Sequence, residues 1–537
     1  MVTLWLRNQL VGKRIRRETQ RRVHELQQAP VLACRARAAE LLARLKNEPG
    51  PHVCLGKTPW GEPVTVPLME LVKACGLTTG GMGSGKTMFA LLPIAAMLAQ
   101  LPKLDSMGFG VFDAKGELFD RALYLVWARA EQLKGAEREE FLRRVVVIDF
   151  SSRQALTSYN ILAPWSHTDH DFFVTSRLET LRELLPAGEK LSLRGANVLK
   201  HVLVLLAESS LPLTYLEPVL SDDELRGKLL AESRNAALRS YFHRHFAIEG
   251  KQTIAALRAR METLLASDSV RLALAGSEAP DFCRLQNEGA IVLVNCAGPT
   301  ITRGVRLLLQ GLILSDIRQA IFARPTSPKV TYLWFADEAQ NFFLTKQQQD
   351  NMADVLTMAR SFGSFFYFLC QNLSASIPDS RVLEQLYTNI RWSLTLRGSP
   401  RDAQFLRAAL PVSGRLARPD PHPFREPGLY SPEEERSLAL DGIAHLPDRE
   451  GYLWLKARSP EAIRLKTTSV ELPPMEEFRR VIEGLRDDPL VGNRLGRAEY
   501  VGRVKARDRE WLGEEGHEDL EERWEKAYRA QEAVWQS

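Results

Sequence analysis

Short, nearly unbroken apolar runs alternate with longer stretches of helical period through most of this chain. The runs are Met107 to Phe112 before Asp113, Val145 to Ile148 before Asp149, Ala290 to Val294 before Asn295, Val330 to Ala336 before Asp337, Phe365 to Cys370 before Gln371, and Ile390 to Leu396 before Arg397. Strands apolar on both faces are those of a parallel sheet covered by helices, so the pattern predicts an α/β fold with a mainly parallel sheet. A polar residue closing each run stands at the carboxyl edge of the sheet, where such folds gather their ligand groups.

Between about Trp165 and Leu285 the strand pattern gives way to helical spacing. Ile254, Leu257, Met261, Leu264 and Leu265 mark one apolar face there, and Ser221-Asp-Asp-Glu224 reads as a capping box. The expected organisation is a basic helical segment (1–50), a core in two parts (51–165 and 286–470), an all-α domain inserted between them (166–285), and a charged helical tail (471–537). In the first segment Leu10, Val11, Ile15, Val23 and Leu26 lie among basic side chains, which suits helices with a cationic face. Short strands and turns lead from there to Pro67. The prolines at 419, 421, 423 and 427 predict an extended surface loop between Pro411 and Gly428. In the tail, Leu520, Trp524, Ala527, Tyr528, Gln531 and Trp535 form one stripe, read either as a packing helix or as a partner-docking surface.

At 537 residues and 45% hydrophobic composition the chain can bury the cores of several domains. A net charge of +5 permits a polyanionic partner without requiring one. The six cysteines form no C-x-x-C pair, which argues against zinc and against a disulfide framework and points to a reducing cytoplasm. No window approaches about eighteen uninterrupted apolar residues, so neither a transmembrane span nor a signal peptide is expected. The localisation that follows is cytoplasmic, with attachment at the inner membrane left to partners.

The chemistry is concentrated in three places. Gly80-Gly-Met-Gly-Ser-Gly-Lys-Thr87 satisfies G-x-x-x-x-G-K-[ST] immediately after an apolar run. In such a loop the backbone N–H groups of Gly80, Gly81, Gly83, Ser84 and Gly85 turn toward a polyphosphate. Lys86 reaches its outer phosphates, the Thr87 hydroxyl ligates magnesium, and Met88 continues a helix whose dipole favours the anion. The second place is Val330 to Ala339, a strand that delivers Asp337 to a magnesium shell and Glu338 to the water that attacks the terminal phosphate. Gln371, closing another strand, suits a phosphate sensor. Arg360 reads either as an arginine acting on a neighbouring subunit's site or as a surface ion-pair partner. The third is Phe112-Asp-Ala-Lys-Gly-Glu117. Asp113 there has the choice of the phosphate loop, a metal-bound water or a plain strand-to-helix turn, and Lys115 with Glu117 the choice of a charged pair at a subunit boundary.

Gly80 to Thr87, Asp113-Ala-Lys-Gly-Glu117, Ser158-Tyr-Asn-Ile-Leu162, Asp337-Glu338, Ala359-Arg-Ser-Phe-Gly363, Cys370-Gln371 and Asn389 resemble, in order, the motifs of type IV secretion coupling proteins. These conjugative DNA-transfer proteins belong to the FtsK–HerA superfamily of P-loop motor ATPases. The resemblance runs from about Leu55 to Thr467. It implies a RecA-like P-loop NTPase core carrying an all-α insertion, and a hexameric, ATP- and Mg2+-dependent pump for single- or double-stranded DNA. Relaxosome, effector or secretion-channel proteins are the partners implied. By that analogy Lys86 and Thr87 hold nucleotide and magnesium, Asp337 and Glu338 serve hydrolysis, Gln371 is the sensor and Arg360 the arginine finger. Three positions depart from the family pattern: a basic segment replaces the usual transmembrane hairpin, Ala114 replaces a proline, and Asn160-Ile-Leu162 replaces Asn-Pro-Leu. Two alternative functions stand beside the DNA motor, a soluble adaptor ATPase for effector secretion and a HerA-like motor acting with a nuclease in DNA processing or defence.

Overall fold

The computed structural model describes residues 34–101, 106–152, 154–163, 170–184, 192–248, 251–265, 268–298, 301–343, 346–377, 379–416, 418 and 428–513. The helices expected before Cys34, the prolines from 419 to 427 and the stripe beginning at Leu520 lie outside these residues. The described strands, in chain order, are β1 His52–Lys57, β2 Pro63–Pro67, β3 Gly76–Thr79, β4 Met107–Asp113, β5 Val145–Asp149, β6 Ala155–Leu156, β7 Ile291–Asn295, β8 Thr331–Ala336, β9 Ser364–Cys370, β10 Trp392–Leu396, β11 Glu450–Leu455, β12 Ile463–Thr467 and β13 Leu495–Gly496. The six apolar runs are strands β4, β5, β7, β8, β9 and β10, shifted by at most two residues at either end. The chain forms two compact units, 1–100 with 366–471 and 101–365 with 472–537.

In the first unit the strands follow the order β2-β1-β12-β11-β10-β3-β9. β3 pairs in parallel with β10 on one side and β9 on the other, while β10 onward to β2 run antiparallel. β3 is buried at every position, and its first residue is glycine for a steric reason: a Cβ at Gly76 would lie 2.2 Å from the Trp392 ring. That indole packs against Tyr367 and Phe89 and donates to the Leu71 carbonyl at 3.3 Å. The helix Lys86–Gln100 follows β3 with Phe89, Ala90, Leu91, Ile94 and Met97 buried.

In the second unit β8, β4, β7 and β5 are parallel neighbours in that order. From 170 to 287 every described element is a helix, and Leu257 and Leu265 of the expected apolar face are buried. The capping box is corrected: Asp222, not Ser221, caps the helix Asp223–Glu232, accepting from the N–H groups of Glu224 and Leu225. Ser221 instead ends the preceding helix and donates back to the Glu217 carbonyl. Asp222 directly precedes the first helical residue, so its carboxylate reaches the N–H groups of N2 and N3, whereas Ser221 still belongs to the preceding helix. The segment after Pro474 is built into this unit through residue 513. Phe478 packs on Tyr124 at 5.6 Å, Arg486 pairs with Asp120, and the Tyr500 hydroxyl donates to the Leu272 carbonyl.

Asp316, on the helix Arg303–Ala323, is buried and accepts from both the Arg177 guanidinium and the Tyr159 hydroxyl. Arg177 also donates to the Ile161 carbonyl at 2.9 Å, so this network anchors the Ser158–Leu162 motif. Burial lowers the Arg177 guanidinium to about 10, still charged at neutral pH. Removing one member of a buried pair strands the other charge, at a cost of about 3–5 kcal/mol, whereas replacing both with apolar groups is far milder. Asp316→Ala is therefore expected to lower stability by that amount in denaturant titrations. The double variant Arg177→Met/Asp316→Leu should lose less than the single one.

Candidate nucleotide site

The glycine-rich loop is strung between the carboxyl ends of two strands flanking β3. Gly80 N–H donates to the Cys370 carbonyl that ends β9, and Gly81 N–H donates to the Arg397 carbonyl just beyond β10, at 2.7 Å. Ser84 closes the loop on itself, its hydroxyl donating to the Gly81 carbonyl at 2.8 Å. The buried Lys86 ammonium folds back onto the Gly80 and Gly81 carbonyls, each at 2.8 Å. Gly85 has a φ of +104° and leaves no room for a Cβ, which would lie 2.9 Å from Arg449 Cγ. Arg449 itself has a φ of +64° and donates its N–H to the Ser84 carbonyl at 3.0 Å. Nothing in the local sequence marks Arg449, because its place in the site depends on a contact spanning more than three hundred residues.

Thr87 and Met88 lie half-buried in the first turn of the following helix, and Gln371 is half-buried one residue past the Cys370 carbonyl that holds Gly80. A helix start preceded by a wound, Gly-rich loop with a buried lysine is the construction that grips a polyphosphate. These residues therefore fit the polyphosphate of a nucleotide, and Thr87 fits one position of a magnesium shell.

The second unit holds the acid pair. Asp337 N–H donates to the Phe112 carbonyl at 3.0 Å, which ties the end of β8 to β4. Glu338 follows with a φ of +49°, a conformation that L side chains adopt only when their surroundings impose it. Its carboxylate is engaged by Lys115 on one oxygen and by the Gln340 side-chain amide on the other. Asp113, fully buried at the end of β4, accepts from the N–H groups of Lys115 and Phe119 at 2.7 and 2.8 Å. Of the readings open to Asp113, the strand-to-helix turn is the one the geometry matches. Within the chain Glu117 pairs with Arg121 on its own helix and Lys115 pairs with Glu338. Arg360 is exposed on the 3₁₀ turn Ala359–Phe362, and Asn389 donates to the Gln385 carbonyl.

Two further polar strand ends pair with each other: Asn295 donates to Asp149 at 2.9 Å. Arg486, from the charged segment after Pro474, joins them by pairing with Asp120 at 2.6 Å and lying 3.9 Å from Asp149. Among the described residues no cluster of three or more His, Cys, Asp or Glu side chains is arranged to hold a metal ion. No described helix is long and apolar enough to cross a membrane.

Burial, then the neighbouring Asp113 and Glu338 carboxylates, push the Asp337 carboxyl up to about 7. Between its unfolded value near 4 and that folded value, the unfolded chain gives up a proton that the folded chain keeps, so stability falls as pH rises through this window. Without nucleotide or magnesium, Asp337→Asn is expected to melt with the wild type near pH 4. At pH 8 it should be the more stable by roughly 1–3 kcal/mol. Coincident melting temperatures at pH 8 would contradict the assignment.

No protein-family model matches the sequence, and no curated protein sequence does. Solved structures do match. The chain is similar to the bacterial conjugative coupling protein TrwBdeltaN70 in its unbound form, with a TM-score of 0.50 and 13% identity over 84% of this chain and 93% of that one. It also matches TrwB in complex with ADP and Mg2+, with a TM-score of 0.49 and 14% identity over 84% and 94%. A third match is VirB4 of Thermoanaerobacter pseudethanolicus, with a TM-score of 0.47 and 14% identity over 80% and 99%. The chain thus has the α/β fold, with parallel strands and many helices, of the conjugative coupling protein TrwB.

Proposed function

We propose that this chain is a nucleotide-hydrolysing motor of the coupling-protein kind, working as an oligomeric ring, hexameric by the family resemblance, to move DNA. The observation that carries the reading is the Gly80–Thr87 loop, suspended from the ends of β9 and β10 with Lys86 folded onto it. The order of the motifs, the basic net charge and the likeness in fold to TrwB support the choice of DNA as cargo.

ATP, bound with magnesium, supplies the phosphoanhydride bond that is broken. The chain's own residues divide the remaining work. The N–H groups of Gly80 and Gly81 are taken by the Cys370 and Arg397 carbonyls, so the later amides of the loop, with Lys86, would hold the phosphates, and Thr87 and Asp337 would serve the magnesium. Glu338 takes the proton of the attacking water, Gln371 senses the terminal phosphate, and the exposed Arg360 serves a neighbouring subunit. Family membership, cytoplasmic location and docking to relaxosome, effector or secretion-channel proteins belong to the same proposal.

Lys86→Ala is expected to abolish nucleotide binding and hydrolysis, while Glu338→Gln should bind ATP normally but turn over at least about a hundredfold more slowly. Equal turnover of Glu338→Gln and the wild type in a phosphate-release assay would remove Glu338 from the mechanism. Hydrolysis should rise on adding DNA at low salt, and this stimulation should fade steeply with salt as counterion release loses its advantage. Hydrolysis indifferent to DNA, with no ring formed in nucleotide, would exclude the DNA motor and leave the adaptor function.

A further inference from the structure

We infer that Lys115 and Gln340 are positioning residues for Glu338, and that the Asp113-Ala-Lys-Gly-Glu117 string exists to deliver one of them. The inference rests on the reading of Glu338 as the group that takes the water's proton. Glu338 lies in the left-handed region, at φ +49°, immediately after a buried strand, so its backbone does not by itself favour the observed side-chain direction. Four contacts impose it. The N–H of the preceding residue is held by the Phe112 carbonyl, and the Glu338 carbonyl accepts from Asn341 N–H at 2.9 Å. One carboxylate oxygen takes the Lys115 ammonium and the other the Gln340 amide.

Lys115 reaches this place because of the turn that carries it. The Asp113 carboxylate accepts from Lys115 N–H and from Phe119 N–H, which fixes the backbone on both sides of the turn. Gly116 between them has a φ of +90°, which any other residue adopts only under strain. The fixed positions of the D-x-K-G-E pattern then divide the construction among them. Asp113 shapes the turn, Gly116 permits it, Lys115 holds Glu338, and Glu117 braces the helix through Arg121.

The pair is half-shielded: the Lys115 side chain is 49% exposed, but the Glu338 side chain that it meets is only 9% exposed, so solvent screens it from one side only. Gln340 adds a second element. With its NH2 committed to Glu338, its carbonyl oxygen is a buried acceptor without a partner among the described residues. Beside a carboxylate that takes a proton, that acceptor suits the other hydrogen of a water molecule.

The test uses the full chain with Lys115→Met, Lys115→Arg and Gln340→Leu, each alone and combined with Glu338→Gln. Lys115→Met and Gln340→Leu should lower kcat by about tenfold or more while ATP affinity stays within about twofold, since misplacing a reacting group costs rate rather than binding. Lys115→Arg should restore most of the rate. In the Glu338→Gln background the same substitutions should change turnover by less than about twofold, because residues acting through one group are not additive. Amide exchange across 337–343 should quicken in Lys115→Met at an unchanged melting temperature. A normal kcat in Lys115→Met, or a further loss on top of Glu338→Gln, would overturn the assignment. If the wild type hydrolyses no nucleotide, the functional reading fails, and unaltered exchange in Lys115→Met would then overturn the clamp independently.

Discussion

A buried parallel strand leaves its last carbonyl and the next amides with no partner beyond the ladder, and burying either unpaired costs about as much as a lost hydrogen bond. Much of the candidate chemistry sits where this requirement is met. In the first unit Cys370 offers a carbonyl at the end of β9 and Arg397 one just past the end of β10, and the amides of Gly80 and Gly81 take them. The loop is thereby held across the end of β3 as a wound ribbon. In the second unit Asp337 N–H goes to Phe112, Cys296 N–H to Asp113 and Phe150 N–H to Asn295. Each strand end is tied to its neighbour at the point where a functional side chain begins.

Buried charge obeys the same constraint. Asp113 is fully buried, and burial raises its proton affinity; the four backbone N–H groups around it oppose that rise. Asp120 is pushed up to about 6 by burial, with Arg486 resisting the shift. Asp316 is held by Arg177 and Tyr159 far from the loop motifs in sequence. Acids placed this deep keep their position only because something nearby donates to them: Asp113 draws on amides of its own turn, whereas Asp120 and Asp316 draw on partners from elsewhere in the chain.

Short-range patterns were legible wherever a local rule governs. The apolar runs appear as strands because burial on both faces requires it, and the disappearance of those runs between 165 and 285 corresponds to helices alone in the described part of that stretch. The phosphate loop was legible because its glycines meet a local conformational demand, visible in the positive φ at Gly83 and Gly85. The choice between Ser221 and Asp222 as a cap was not, because the spacing of Ser221 to Glu224 imitates a capping box while the helix begins one residue later, at Asp223. Arg449 and Arg486 carried no signal, since an arginine in a charged stretch reads as solvated.

The amino-acid sequence alone determined the α/β class, the place of the phosphate loop and the acid pair at the end of a buried strand, because period, steric allowance and side-chain chemistry are properties of neighbouring residues. Tertiary structure decided which strand ends suspend the loop and that Lys115 meets Glu338. Those outcomes depend on pairings between residues hundreds of positions apart, such as Lys115 with Glu338, and a linear pattern does not encode the register that brings them together.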